Sequence, residues 1–284
     1  MASQVKQPKQ KIDFMLITAN PEIAVYAEQN GVSRIFIDQE TLGKQERQGH
    51  LNTHKASHTA ADIRNVARVL NSAELMVRVN PLNPDSKSEV ETAIECGCHR
   101  IMLPMFTSAH DVARFLALVD KRVPVTFLAE TPQALVRLEN WLPLLKPGYD
   151  EVHIGLNDLS LGLGVKFLFE PLAARMLDIP SEVLNASGVE WGFGGIAQIG
   201  KGELPAEMVL GEHIRLGSTR VILSRAFHQG VNDVETLINE LYFAEEITRL
   251  REAESKWRNV SVKVILENQK KMSAVAFRLG KNGN

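Results

Sequence analysis

Two acidic residues stand at positions and at a spacing that could bind a metal ion. Glu130 comes shortly after an apolar run at residues 123–128, and Asp158 comes shortly after a second run at residues 151–154. Each alone has a simpler interpretation, because Asp and Glu are favoured in the first turn of a helix. Their separation of 28 residues matches one strand and one helix, which predicts adjacent strand ends. Oxygen ligands of this kind suit Mg²⁺ or Mn²⁺, with water and a chelating substrate completing the coordination.

Other residues with chemically distinctive side chains lie at or just after the ends of the apolar runs. An arginine among them is suited to carboxylate binding, because a guanidinium presents two parallel donors that a lysine lacks. If the apolar runs are the strands of a barrel, these residues lie at the end of the barrel where active sites are found. They are Asp38, Glu40, Arg78, Pro104 and Asn157.

Eight short apolar runs alternate with segments of helical periodicity. This alternation predicts parallel strands joined by right-handed crossovers, and eight such units are the number that closes a barrel. The predicted fold class is therefore α/β, a single (β/α)8 barrel, with a doubly wound open sheet as the alternative. Active sites of such barrels lie at the carboxyl ends of the strands, where the polar residues above are found. The runs cover residues 14–18, 34–37, 75–79, 100–103, 123–128, 151–154, 191–194 and 219–223.

The chain continues beyond the eighth run. Residues 1–11 are expected to form a flexible tail, residues 12–230 the barrel, and residues 231–284 an additional C-terminal region. Apolar spacing predicts one long amphipathic helix over residues 231–257. The segment from Lys256 onward is basic and is interpreted either as an arm that docks on a neighbouring subunit or as a solvated tail.

Composition narrows the classes of partner. The formal net charge of the 284 residues is -2, which gives no reason to expect nucleic acid or an anionic membrane. No apolar stretch approaches the roughly 20 residues that span a bilayer, and the N-terminus lacks an apolar signal core, so a cytoplasmic protein with a small-molecule ligand is expected. The turn at residues 18–21 has no glycine-rich fingerprint, which disfavours nicotinamide chemistry. Cys96 and Cys98 have no partner cysteines for a structural zinc site and are interpreted as packing residues.

Several segments, taken together, resemble the HpcH/HpaI aldolase and citrate lyase family of the phosphoenolpyruvate/pyruvate-type TIM barrels. The resemblance covers roughly residues 13–225, and its most specific part is the sequence GLNDLS at residues 155–160. The other segments are DQE at residues 38–40, MVRVN at 76–80, IMLP at 101–104 and FLAETPQAL at 127–135.

This resemblance implies roles for the residues already singled out. It implies that Glu130 and Asp158 hold a divalent metal ion and that Arg78 binds the carboxylate of a 2-oxo acid. Cleavage of the bond beyond C3 would leave an enolate whose charge the metal and Arg78 can stabilise. Asp38 and Glu40 join Arg78 as catalytic candidates, and Asn157 and Pro104 join it in substrate binding. The resemblance also implies a homo-oligomer, with a trimer or a hexamer as the leading choices.

The chain departs from the family at two positions. The aldolase branch has a histidine that acts as the catalytic base where this chain has Thr41. The branch also has a glutamine where this chain has Leu128. The CoA-thioester lyase branch usually opens with an Arg-rich strand end that is absent here. One of His50, His54 and His58 could replace the missing base, although solvated loop histidines are the alternative interpretation.

Two further positions correspond to the usual phosphate site of a barrel. Gly194-Gly195 and Ser224-Arg225 follow the seventh and eighth predicted strands, and they indicate either a phosphate or CoA contact or simply tight turns.

The predicted function is a divalent-metal-dependent carbon-carbon lyase or aldolase that acts on a 2-oxo acid or a related hydroxy acid. Two alternatives use the same residues. One is phosphoenolpyruvate-type chemistry at the same metal site, and the other is a non-catalytic 2-oxo acid-binding protein that lost its base at Thr41.

Overall fold

Eight parallel strands form a closed barrel in chain order. The structure, a computed structural model, describes residues 11–43 and 58–282. Each strand pairs with the next, and the eighth pairs with the first, which confirms the barrel prediction and excludes the open sheet. The strands are β1 Asp13–Ile17, β2 Arg34–Asp38, β3 Glu74–Arg78, β4 Arg100–Leu103, β5 Val125–Leu128, β6 Glu151–Ile154, β7 Glu190–Ile196 and β8 Arg220–Leu223.

Side chains alternate between the inside and the outside of the barrel, since successive residues of a strand point to opposite faces. The residues that point outward pack against the surrounding helices and form the larger core. The central layer inside the barrel is a separate apolar cluster of Met15, Phe36, Met76, Met102 and Leu128. This layer separates two polar layers, one at each end of the barrel.

The polar layer at the amino ends of the strands is built from ion pairs. Glu151 is buried and lies 2.8 Å from Arg34 Nη1, 2.8 Å from Arg220 Nη2 and 3.2 Å from Arg100 Nη2. Burial by itself raises the pKa of Glu151, but the three guanidinium groups lower it more, so the net pKa lies below its ordinary value. The carboxylate therefore stays charged inside the protein.

Helices follow the strands and cover the outside of the barrel. Thr59 and Ser108 begin two of them with capping boxes, in which the hydroxyl accepts from the backbone at Asp62 or Asp111 and that acid accepts in return. The helices are α1 Pro21–Gln29, α2 Ala60–Ala67, α3 Ser86–Glu95, α4 Ala109–Val119, α5 Pro132–Val136, α6 Leu138–Trp141, α7 Leu156–Leu163, α8 Glu170–Ala173, α9 Asp178–Ser187, α10 Ala206–Leu216, α11 Arg225–His228, α12 Val234–Asn239, α13 Phe243–Arg258 and α14 Val262–Asn282.

The C-terminal region differs from the sequence prediction. The predicted helix over residues 231–257 is interrupted, because Tyr242 adopts a left-handed conformation with φ of 48° between α12 and α13. The basic segment from Lys256 is mostly a further helix and not a solvated tail. On this helix Asn268 donates to the carbonyl of Met208 and Ser273 donates to the carbonyl of Ala173. Both helices pack on helices of their own barrel, α13 on α10, and α14 on α8 and α10.

None of the helices in the described ranges is long and apolar enough to cross a membrane. Cys96 and Cys98 are both buried in the core, as expected for packing residues.

Candidate active site at the carboxyl ends of the strands

A cavity of about 400 Å³ opens at the carboxyl ends of the strands. Its lining includes five of the seven residues singled out in the sequence, which are Asp38, Arg78, Glu130, Asn157 and Asp158. Glu40 and Pro104 are buried outside this lining. A volume of this size suits a small organic substrate.

Arg78 is held by two acidic residues of the neighbouring strand end. Its Nε donates to Asp38 Oδ1 at 2.9 Å and its Nη2 donates to Asp38 Oδ2 at 2.7 Å, which makes a two-point contact. Glu40 Oε2 lies 3.4 Å from Nη2 of the same guanidinium. Burial lowers the pKa of Arg78, but Asp38, Glu40 and Glu130 raise it more, so the side chain stays protonated.

This pairing decides how Arg78 could bind a substrate. The edge that carries Nε and Nη2 is taken by Asp38, whereas Nη1 makes no hydrogen bond within residues 11–43 and 58–282. A substrate carboxylate could therefore be bound by Nη1, with Nη2 shared with the acids. Asp38 and Glu40 orient the guanidinium and are suited to positioning it.

Glu130 lies just beyond β5, and its carboxylate is fixed from two sides. Its Oε1 accepts a hydrogen bond of 3.2 Å from the backbone amide of Met105. Gly155 lies against its other oxygen, because a Cβ at that position would stand 2.8 Å from Glu130 Oε2. Only glycine leaves enough space for this carboxylate, which explains why the GLNDLS segment begins with glycine.

Asp158 lies in a helix and not at a strand end, which corrects the sequence prediction. Strand β6 ends at Ile154, Gly155 is the N-cap residue of α7, and Asp158 is the third residue of that helix. The partial positive charge of a helix N-terminus stabilises a carboxylate there. Asp158 is buried and Asn157 is half-buried, and both still line the cavity.

Glu130 and Asp158 fit a hard divalent cation as a pair of ligands. Both are buried carboxylates that line one cavity, and oxygen ligands suit Mg²⁺ or Mn²⁺. In the part of the chain that the structure describes, no group of three or more His, Cys, Asp or Glu residues could hold a metal ion. In this arrangement Glu130 and Asp158 would supply two ligands, and the remaining positions would go to water and to a chelating substrate.

The start of the loop after β2, as far as residue 43, is anchored next to Arg78. Asn80 Oδ1 accepts from the amides of Thr41 and Leu42 at 2.8 and 2.9 Å, and from the Thr41 hydroxyl at 3.2 Å. The Thr41 side chain thus takes part in holding the loop.

Of the three histidines that could replace the missing base, His58 is the one that the structure describes. Its Nδ1 accepts a hydrogen bond of 3.0 Å from the backbone amide of Asp38, so the proton of the neutral ring is on Nε2. In this state Nε2 is a donor and not a base. His50 and His54 lie outside the described residues.

A histidine that sequence reasoning missed lies inside the barrel at the cavity. His153 on β6 is buried, and its Nε2 lies 3.1 Å from the carbonyl of Gly194. Because a carbonyl only accepts, Nε2 carries the proton, and burial lowers the pKa of His153 to about 4, so the ring is neutral near pH 7. Strand alternation could have found it, since Glu151, His153 and Gly155 share one face.

Gly194 and Gly195 lie within β7 and do not follow it, which corrects the prediction of a turn after strand seven. They line the cavity together with Ser224 and Arg225. Ser224 does follow β8, and Arg225 begins the four-residue helix α11. A phosphate or CoA contact at these residues stays a prediction.

A second cavity of about 1140 Å³ adjoins the first, and Ile17, Asn157 and Arg225 line both. The loops after β1 and β8 form most of its wall and are linked by a 2.7 Å hydrogen bond from Asn20 Nδ2 to the carbonyl of Asn232. The site thus has a smaller chamber that contains the acids and Arg78 and a larger chamber beside it.

Solved structures share this fold. A member of the HpcH/HpaI aldolase/citrate lyase family from Burkholderia cenocepacia J2315 matches with a TM-score of 0.57 at 17% identity, covering 84% of this chain and 95% of that one. The citrate synthase SbnG also matches with a TM-score of 0.57, at 12% identity, covering 86% of this chain and 95% of that one. No family model and no curated protein matches the sequence. The structural likeness establishes the fold, and these structural neighbours include the family that the sequence motifs resemble.

Proposed function

We propose that the protein is a divalent-metal-dependent carbon-carbon lyase or aldolase that acts on a 2-oxo acid or a related hydroxy acid. One observation carries the proposal. Arg78, which can bind a carboxylate, lines the same cavity as Glu130 and Asp158, which fit a hard cation. The likeness of the fold to an HpcH/HpaI family protein and to a citrate synthase supports this assignment.

The protein's own residues would act mainly by binding and orienting the substrate. The carboxylate of the 2-oxo acid would be bound at Nη1 of Arg78, whose guanidinium Asp38 and Glu40 hold in place. Glu130 and Asp158 would hold Mg²⁺ or Mn²⁺, which supplies positive charge to the substrate oxygens on which negative charge develops. The apolar layer contributes Phe36 and Leu128 to the lining of the cavity.

A non-catalytic binding protein is the second candidate, and the environment of Thr41 favours it. The family's base position is occupied here by a threonine whose hydroxyl contacts Asn80. His58, in the state described above, has its Nδ1 lone pair taken by the Asp38 amide. Phosphoenolpyruvate-type chemistry would use the same site, and no observation favours it over the aldolase.

Deuterium exchange at C3 of pyruvate tests the proposal without knowledge of the second substrate. In D₂O with Mg²⁺ or Mn²⁺, we expect the methyl signal of pyruvate in the NMR spectrum to decrease at a rate proportional to protein concentration. Chelation with EDTA should stop the exchange, and Glu130→Gln should slow it on the order of 100-fold. Pyruvate binding without exchange would favour the non-catalytic candidate instead.

We also propose a homo-oligomer, with a trimer or a hexamer as the leading sizes. Although α14 packs on its own barrel, its residues Val262, Val264, Leu266 and Phe277 remain exposed, and exposed apolar side chains on one helix can mark a contact between subunits. Light scattering at micromolar concentration tests this proposal, which a monomer would contradict.

A further inference from the structure

The smaller cavity has two chemically different parts. One part carries Asp38, Arg78, Glu130 and Asp158. The remaining wall is largely apolar, and its side chains come mainly from the segments that follow β6 and β7. The main apolar residues of this wall are Leu156, Phe167, Leu168, Phe169, Leu204 and Val209.

This apolar wall is fixed in place by contacts around it. Glu170 Oε1 accepts from the amides of Lys166 and Phe167 at 3.0 and 2.8 Å, which holds the segment that carries the two phenylalanines. The rings of Phe167 and Phe169 pack with their centroids 5.6 Å apart. Gly194 has φ of 54°, and a Cβ there would stand 3.0 Å from Leu156 Cδ1. Glycine therefore allows strand β7 to lie close to Leu156 of the wall. The wall is therefore a preformed surface.

Charges on the lining disfavour a second substrate anion at this wall. Glu203, which is exposed, lines the cavity next to Leu204 and places a negative charge, not a partner for a carboxylate, at this part of the lining. Among the described lining residues, the cationic side chains are Arg78, already paired with Asp38, and Arg225. Arg225 is exposed and also lines the larger cavity, so it is placed at the mouth and not within the wall.

We infer that the substrate of this cavity is a 2-oxo acid whose far end is an apolar aliphatic group and not a second carboxylate. The inference rests on the proposed function, because Arg78 and the metal ligands must bind the 2-oxo acid end. An alkyl group gains from burial against the leucines and phenylalanines. A carboxylate in the same place would lose its hydration without gaining a partner.

Two 2-oxo acids of matched shape test the inference by binding alone. In 5-methyl-2-oxohexanoate an isopropyl group replaces the distal carboxylate of 2-oxoglutarate, so the two molecules are close in size. Calorimetry with the full-length protein and Mg²⁺ should show that 5-methyl-2-oxohexanoate binds at least about 30-fold more tightly. Since binding is measured and not turnover, the result does not depend on whether the protein is a catalyst.

Three variants test whether the apolar wall is the source of the preference for 5-methyl-2-oxohexanoate. In Leu204→Asn, a polar side chain of similar size, the ratio of the two affinities should fall on the order of tenfold. Leu204→Met keeps an apolar side chain and should stay within about twofold of the wild type. Ile179→Asn replaces an apolar with a polar side chain at an exposed position of α9, outside the cavity, and should leave the ratio of the two affinities unchanged.

Equal binding of both acids, or tighter binding of 2-oxoglutarate, would overturn the inference. If Arg225→Gln then abolished the binding of 2-oxoglutarate, the distal carboxylate would be assigned to the cavity mouth. An apolar preference in a protein that shows no pyruvate exchange would support the inference and count against the lyase. Exchange together with a preference for 2-oxoglutarate would support the lyase and refute the inference. Binding of neither acid would refute the 2-oxo acid site and the inference with it.

Discussion

The two ends of this barrel both contain buried carboxylates and arginines, yet they use them differently. At the amino end, Glu151 is enclosed by Arg34, Arg100 and Arg220, and the apolar layer separates it from the cavity. At the carboxyl end, Glu130 and Asp158 line an open cavity. The charges at the amino end are enclosed by one another, whereas those at the carboxyl end line a cavity large enough for a small ligand. Position in the barrel, and not residue type, distinguishes the two.

Removal of the charge of Glu151 should have the largest effect. In Glu151→Gln the three guanidinium groups lose their common partner in a buried layer, so the free energy of unfolding should fall by about 3–5 kcal/mol. Urea denaturation followed by circular dichroism measures this loss. A decrease below about 1 kcal/mol would show that the amino end does not depend on its ion pairs.

The same substitution at the other end should act on ligand binding. Glu130→Gln keeps an oxygen that can accept from Met105 and removes a charge, so we expect the unfolding free energy without metal to change by less than about 1 kcal/mol. Affinity for Mg²⁺ or Mn²⁺ should fall on the order of 100-fold, which calorimetry can measure. Asp158→Asn provides the parallel test, and unchanged metal affinity in both variants would refute the metal site.

Arg78→Lys tests whether the Arg78 guanidinium binds the substrate carboxylate. Lysine keeps the charge but loses the two-point contact with Asp38 and the planar group offered to a substrate carboxylate. We expect the fold and the metal affinity to remain, and 2-oxo acid binding to weaken by about 2 kcal/mol. Titration of pyruvate into both proteins measures the difference. Equal affinities would mean that Arg78 does not contact the substrate.

Lowering the pH should reduce the difference in unfolding free energy between the wild type and Glu151→Gln. Because the pKa of Glu151 is lowered on folding, its contribution is fully present above its unfolded pKa, near 4.5, and is lost as the pH falls through the lower folded value. The difference in unfolding free energy should be constant from pH 7 to about pH 5.5 and should decrease at lower pH by about 1.4 kcal/mol per pH unit at most. A difference that does not change down to pH 3 would contradict this.

The barrel was predictable from the sequence because each strand must bury its outward side chains against helices and its inward side chains against the other strands. All eight predicted runs are strands, and the runs at residues 100–103 and 151–154 match β4 and β6 at both ends. The interruption at Tyr242 was missed, because apolar spacing continues across it and a left-handed residue leaves no mark on that spacing.

The candidate site was predictable in part. Residues of the recognised motifs do line one cavity, since strand ends of a barrel meet at one rim. The contact between Arg78 and Asp38 depends on strand register, in which the two residues are paired across β2 and β3, and periodicity does not specify this. The apolar wall at Phe167 and Phe169 was missed because these residues lie in an irregular segment, where no periodic pattern indicates which side chains face inward.

The start of the first strand is held by residues that lie more than 230 positions later in the chain and are therefore synthesised well after it. The backbone amide of Ile12 donates to Glu254 Oε1 at 2.8 Å, its carbonyl accepts from Arg251 at 2.6 Å, and the Arg251 guanidinium lies 3.8 Å from the centre of the Phe14 ring. Strand β1 also needs β8 as its second neighbour. We therefore expect nascent chains stalled before α13 emerges to stay sensitive to protease near β1, and full-length chains to become resistant. Early protection of β1 on such stalled chains would show that the barrel closes without this late helix.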